Sequence, residues 1–184
     1  MSNTISVRYN SQMSSFVIEG LAGKKSLKGR IPVMGAKNAV LPTMAAALLI
    51  KGETVIDNVP GIADVHAMST LIEKLGGFVS RDGSRLTINA RDISVSVLDH
   101  AVAKSLRASI VLTGPLLARM GSVTFPHPGG DLIGERPIDL FIAGFKTLGA
   151  TVTEAGGTYT ISAPEGLTGG DFYFNTVSVT GTET

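Results

Sequence analysis

The chain repeats itself, and this constrains its fold more than any other property. KLGGFVSRDGSRLTINA (Lys74 to Ala90) and TLGATVTEAGGTYTISA (Thr147 to Ala163) match at a constant offset. Leu75 pairs with Leu148, Gly76 with Gly149, Val79 with Val152, Gly83 with Gly156, and Thr87-Ile88 with Thr160-Ile161. Each copy reads as the end of a helix, a Leu-Gly cap and a hairpin around a glycine turn. Upstream, a helix predicted over Asn38 to Ile50 and followed by GETVID parallels Ser105 to Met120 followed by GSVTFP; the next helices are Ala63 to Lys74 and Pro137 to Thr147. One unit is therefore strand, helix, strand, helix, strand, strand: an α/β (mixed α+β) fold with units at about residues 27–90 and 93–163. LTGGDFYF from Leu167 resembles LKGRIPVM from Leu27, so a third unit opens at 167, with its first helix due near Thr184. The apolar faces of two finished units would want the third, which suggests a fragment.

Between the copies lies PHPGGDLIGERPID, Pro126 to Asp139. Gly129, Gly130 and Gly134 leave the backbone permissive while Pro126 and Pro128 stiffen the approach, as suits a loop that closes over something. Pro137 fits the first helical position and Asp139 the first turn, where the helix dipole favours an acid. Arg136 would then stand beside unpaired backbone N–H groups, an arrangement suited to a phosphate or carboxylate. A surface loop with solvated charges is the plainer reading.

Further cations occupy matching places in the repeats. Lys37, in GAKN, precedes the first helix, and Arg107, in SLRASIV, holds the equivalent place in the second unit. Each is either an anion ligand or a helix-start cation that is solvated or paired with an acid. His66, His100 and His127 are scattered, with no His-x-x-x-His or carboxylate cluster, so no metal site is expected; His127 stands at the loop base. The Leu-Gly pairs sit at helix ends, and the dinucleotide fingerprint GxGxxG is absent.

The 184 residues are enough for one core, with residues 1–15 expected to be a flexible N-terminal extension and residues 16–184 an incomplete domain. Met13 offers a second start. Net charge is +1 with no basic run interleaved with aromatics, which argues against nucleic acid. The chain has no Cys, removing disulfides and thiolate chemistry and agreeing with a reducing cytoplasm. No secretory signal opens it, and its most apolar run, Ala39 to Ile50, is short of the roughly 20 residues of a membrane span.

GAKNAVLP (Gly35 to Pro42), LRASIVLTGPLLAR (Leu106 to Arg119), PGGDLIGERPIDL (Pro128 to Leu140) and SVTGTE (Ser178 to Glu183) together resemble the UDP-N-acetylglucosamine 1-carboxyvinyltransferase family, in order and spacing, from about Phe16 to the last residue. The resemblance implies transfer of the enolpyruvyl group of phosphoenolpyruvate to the 3-hydroxyl of UDP-N-acetylglucosamine with release of phosphate. That is the first committed step of peptidoglycan synthesis, a cytoplasmic process serving cell shape and division. It implies no cofactor, and an inside-out α/β barrel of two domains, each of three βαβαββ units. This chain would hold two units and the start of a third, with the second domain absent and the missing C-terminal part its natural partner.

Carried over by motif, Lys37 and Arg136 would contact phosphoenolpyruvate. Lys37, Asn38, Arg107 and the run Arg136, Pro137, Ile138, Asp139, Leu140 would meet the nucleotide sugar, and Thr176, Val177, Ser178 and Val179 the uridine diphosphate. Cations are what a phosphate ester bearing a carboxylate needs as a tetrahedral intermediate forms and collapses. Many relatives carry Cys where this chain has Asp131; a carboxylic acid of raised pKa there would protonate the methylene carbon. Since fosfomycin alkylates that Cys, resistance to it is expected. The absent domain would supply a further arginine and the acid that deprotonates the sugar hydroxyl, so little activity is expected of this chain alone. The rivals are an enolpyruvylshikimate-phosphate synthase-like enzyme, against which GAKNA and PGGDLIGERP argue, and a non-catalytic nucleotide-sugar-binding module.

Overall fold

The structure, a computed structural model, describes residues 6–10, 15–20, 28–129 and 137–184. Two compact units divide the chain, Met1–Val33 and Met34–Thr184. In the first, β1 (Ser6–Asn10) and β2 (Ser15–Glu19) pair antiparallel, Ser6 opposite Glu19 and Asn10 opposite Ser15.

The second unit contains the repeat. Its elements are α1 (Lys37–Ala46), a 3-10 turn (Ala47–Leu49), β3 (Glu53–Ile56), α2 (Ala63–Lys74), β4 (Phe78–Asp82) and β5 (Arg85–Asn89). There follow α3 (His100–Ser105), a 3-10 helix (Arg107–Leu112), α4 (Thr113–Met120), β6 (Ser122–Pro126), α5 (Asp139–Thr147), β7 (Thr151–Ala155), β8 (Thr158–Ser162) and α6 (Val179–Glu183). Two three-stranded antiparallel sheets result, ordered β3-β5-β4 and β6-β8-β7, so both copies have the same topology.

The correspondence extends to single hydrogen bonds. Gly76 N–H donates to Glu73 and Gly77 N–H to Ile72; in the second copy Gly149 N–H donates to Lys146 and Ala150 N–H to Phe145. Each pair is a Schellman closure of the preceding helix, and Gly76 (φ 99°) and Gly149 (φ 92°) take the left-handed conformation it requires. Past each hairpin, Ala90 N–H donates to Gly52 and Ala163 N–H to Gly121. The shared Leu-Gly spacing thus fixes where each helix stops and each hairpin begins.

The helices bury one stripe each. Val40, Leu41, Met44, Ala45 and Leu48 recur at helical spacing along α1 and its 3-10 extension, as Val65, Met68, Leu71 and Ile72 do along α2. They meet Leu86 and Ile88 of β5 and Ile110, Leu112, Leu116, Val123 and Ile161 of the second copy in one core. Each fully buried Leu or Ile contributes about 1.5–3 kcal/mol through burial.

Four expectations need correcting. The helix expected over Ser105 to Met120 is interrupted: a 3-10 helix covers Arg107–Leu112 and α4 begins afresh at Thr113. Pro115 lacks an N–H and its ring obstructs the carbonyl four residues back, so it is accommodated in the first turn of a new helix, not inside a continuing one. Thr113 Oγ1 also donates to the Ile110 carbonyl at 2.6 Å, competing with helical bonding. Likewise, the helix expected over Asn38 to Ile50 ends at Ala46 and tightens into the 3-10 turn.

Pro137 is not the first helical residue; α5 starts at Asp139 with Ile138 as N-cap. Finally, the opening strands of the units are not formed as ladders among the described residues. Residues 28–36 and 163–178 carry none, and the second opening is a single parallel bridge, Val97 to Thr124. There Thr124 N–H donates to Ser96 and Leu98 N–H to Thr124. The next rung would need an N–H from Pro126, which has none.

Candidate functional site

The fold sets two cations at matching helix starts. Lys37 is the first residue of α1, whose N-cap, Ala36, offers no side-chain acceptor and whose first turn holds no acid. Ala39 N–H and Val40 N–H both turn to the Ala36 carbonyl, which leaves the N–H groups of Lys37 and Asn38 for an outside acceptor, beside an exposed ammonium and the exposed Asn38. Gly35 is required just before it: a Cβ there would overlap the carbonyl oxygen of Asn58, a residue at φ 58° on the turn after β3. Asn is among the few residues that take this conformation at little cost.

Arg107 opens the 3-10 helix that packs directly against α1, so the two cation-bearing starts lie on contacting elements. Its Nη2 donates to the Pro137 carbonyl at 3.2 Å, tying the second helix start to the residue where the glycine-rich segment rejoins the described chain. Asp131 and Arg136 lie outside the described residues.

The other expected site residues are placed as follows. Pro137 is exposed, Ile138 is in the core at 3% exposure, and Asp139 is exposed in the first turn of α5. Leu140 lines an apolar cavity of about 500 Å³ that is walled by α1, α4, α5 and the segment ending at Thr184. Thr176, Val177 and Val179 are exposed, while Ser178 Oγ accepts the Gly181 N–H and caps α6.

At the loop base, His127 N–H donates to Gly157, and the His127 ring stands 6.2 Å from that of Tyr159, which stacks on Phe125 at 5.7 Å. Partial burial, then the nearby Glu154 carboxylate, push the Tyr159 phenol above its usual range. A Cβ at Gly129 would overlap the Lys104 carbonyl, so the chain leaves this base pressed against α3. Among the described residues no group of three His, Asp or Glu side chains is arranged to hold a metal, and no helix is long and apolar enough to cross a membrane.

Sequence reasoning missed the residues that hold the cations in place. Lys37 Nζ pairs with Asp64 Oδ2 at 2.9 Å, and Arg81 donates Nη2 to the Val59 carbonyl and Nη1 to that of Pro60, bracing the turn that leads to Asp64. An acid in the first turn of a helix is so ordinary a start signal that Asp64 did not stand out.

Two repeated units, with cation-bearing helix starts on elements that pack against each other, define a fold of the enolpyruvyl transferase type. It is similar to the enolpyruvyl transferase NikO from Streptomyces tendae (TM-score 0.67, 21% identity, 77% of this chain and 31% of that one). It is similar also to EPSP synthase from Acinetobacter baumannii (TM-score 0.66, 19% identity, 88% and 38%). The chain belongs to the EPSP synthase (3-phosphoshikimate 1-carboxyvinyltransferase) family, whose model matches residues 21–184. Curated relatives named UDP-N-acetylglucosamine 1-carboxyvinyltransferase include one from a Nitratiruptor species, 37% identical over 89% of this chain and 39% of its own length. Another, UDP-N-acetylglucosamine 1-carboxyvinyltransferase 1 from Symbiobacterium thermophilum, is 42% identical over 89% of this chain and 38% of its own. The chain therefore spans about two fifths of the length of these relatives.

Proposed function

We propose that the chain is the N-terminal part of a transferase that moves the enolpyruvyl group of phosphoenolpyruvate to the 3-hydroxyl of UDP-N-acetylglucosamine, releasing phosphate, in cytoplasmic peptidoglycan synthesis. The observation that carries this is the 37–42% identity to relatives of that name over about nine tenths of the chain. The uncapped start of α1 beside Lys37 gives it a physical basis, because a phosphate ester can be received there by backbone N–H groups and an ammonium together.

In this reading residues 16–184 are one incomplete domain. Lys37 and Arg136 hold phosphoenolpyruvate. Lys37, Asn38, Arg107 and the run from Arg136 to Leu140 meet the sugar nucleotide, Ile138 through its backbone since its side chain is buried. Exposed Thr176, Val177 and Val179, with Ser178, lie along the uridine diphosphate. Asp131 protonates the methylene carbon, and the rest of a protein of the relatives' length supplies the acid that deprotonates the sugar hydroxyl. With a carboxylate at the loop position, fosfomycin has no thiol to alkylate, and rapid covalent inactivation by it would contradict the assignment.

The test is phosphate release from phosphoenolpyruvate, with and without UDP-N-acetylglucosamine, by the enzyme completed to the relatives' length. Release that depends on the sugar nucleotide and disappears in Asp131→Ala is expected. Unchanged turnover in that variant removes Asp131 from the chemistry, and no sugar-dependent release at all contradicts the transferase reading.

A further inference from the structure

The ion pair between Lys37 and Asp64 joins two helices at the proposed anion site. Lys37 is the first residue of α1, Asp64 lies in the first turn of α2, and Nζ to Oδ2 is 2.9 Å. The carboxylate is carried on a braced turn: besides its bonds to Val59 and Pro60, Arg81 donates Nε to Gly83 at 2.9 Å, and Val59 N–H donates to Ser84 at 2.7 Å. With side chains 52% and 36% exposed, the pair adds little to stability. Its effect is on conformation, because a lysine has four rotatable side-chain bonds and one short contact to a fixed partner selects among its rotamers.

We propose that Asp64 is a positioning residue, which holds the Lys37 ammonium at the start of α1 before phosphoenolpyruvate arrives and shares it with the incoming phosphate. The inference rests on the reading of Lys37 as a phosphoenolpyruvate ligand. Ordering a long side chain beforehand removes part of the entropy that binding would otherwise lose, and the ammonium, with three donors, can serve the carboxylate and a phosphate oxygen together.

The test is a titration of this chain with phosphoenolpyruvate, followed by the backbone amide signals of residues 37–39. Asp64→Ala is expected to weaken binding about five- to tenfold. Asp64→Asn, which keeps an acceptor oxygen in the same place, is expected to recover most of the loss. In a Lys37→Ala background, Asp64→Ala is expected to cause no further weakening, whereas a purely structural acid would act in both backgrounds. If Lys37→Ala leaves no measurable binding, the order wild type, Asn, Ala decides. Equal or tighter binding by Asp64→Ala, or a loss that persists undiminished without Lys37, overturns the inference while leaving the ligand role of Lys37 intact. A wild-type chain whose amides do not respond to phosphoenolpyruvate overturns that role, and the inference with it.

Discussion

Gly35 lies so close to the carbonyl oxygen of Asn58 that a Cβ on Gly35 would overlap it, which sets the loop before α1 directly on the turn after β3. The obstacle is backbone, and no side chain can swing aside to make room. Gly35→Ala is therefore expected to cost about 1–3 kcal/mol in urea unfolding, the range for overpacking. Because the same displacement moves Lys37, the variant should also bind phosphoenolpyruvate more weakly than its lost stability accounts for.

The matched Schellman closures predict unequal sensitivities. Alanine at Gly76 or Gly149 meets the left-handed penalty of about 1–2 kcal/mol. A Cβ at Gly76 would also lie 2.8 Å from the Asp92 carbonyl, whereas at Gly149 the nearest atom, also at 2.8 Å, is the side-chain Oγ1 of Thr168. Urea midpoints should fall further for Gly76→Ala than for Gly149→Ala, since a hydroxyl can rotate and a carbonyl cannot. Equal midpoints would mean that the backbone at Asp92 yields as readily as a side chain.

These closures were legible because their cause is local: a glycine at positive φ after a leucine leaves the same mark in both copies. The ends of α2 at Lys74 and of α5 at Thr147 are legible for the same reason. The break at Arg107–Leu112 was not, since the apolar pattern runs through it and the decision falls to Pro115 and the Thr113 hydroxyl. The cations of the site were visible as matching positions in a repeat, Lys37 and Arg107. Their partners were not, because Asp64 and the Pro137 carbonyl are near them only in the fold.

Asp99 makes stability depend on pH. The hydrogen bond from Lys74 Nζ at 2.8 Å, then the Val102 N–H, hold its carboxyl below the usual carboxylate range. A depressed pKa contributes stability that is fully present above the unfolded value of about 3.9 and is lost as pH falls through the folded value. Asn keeps the N-cap acceptor, so Asp99→Asn isolates the charge. The melting temperatures of wild type and variant should differ most near neutral pH and converge below about pH 4. A constant gap at all pH values would contradict a charge origin for the effect.

Arg119 ties the two copies together, donating Nη1 to the Leu48 carbonyl and Nη2 to that of Arg91, both at 2.9 Å. Removing the fork leaves the partly buried Leu48 carbonyl without its donor, a loss of about 1–3 kcal/mol. Arg119→Ala should show it in urea unfolding, and Arg119→Lys should recover little because one ammonium cannot reproduce the planar fork. Full recovery by lysine would reduce the contact to simple charge.

The most direct measurement of what the chain binds is a calorimetric titration of the folded 184-residue chain with UDP-N-acetylglucosamine and, separately, with shikimate 3-phosphate. Saturable binding of the sugar nucleotide, weakened by Arg107→Ala and by Lys37→Ala, with shikimate 3-phosphate bound more weakly or not at all, is the predicted result. Preference for shikimate 3-phosphate, or sugar-nucleotide binding indifferent to both substitutions, would contradict it.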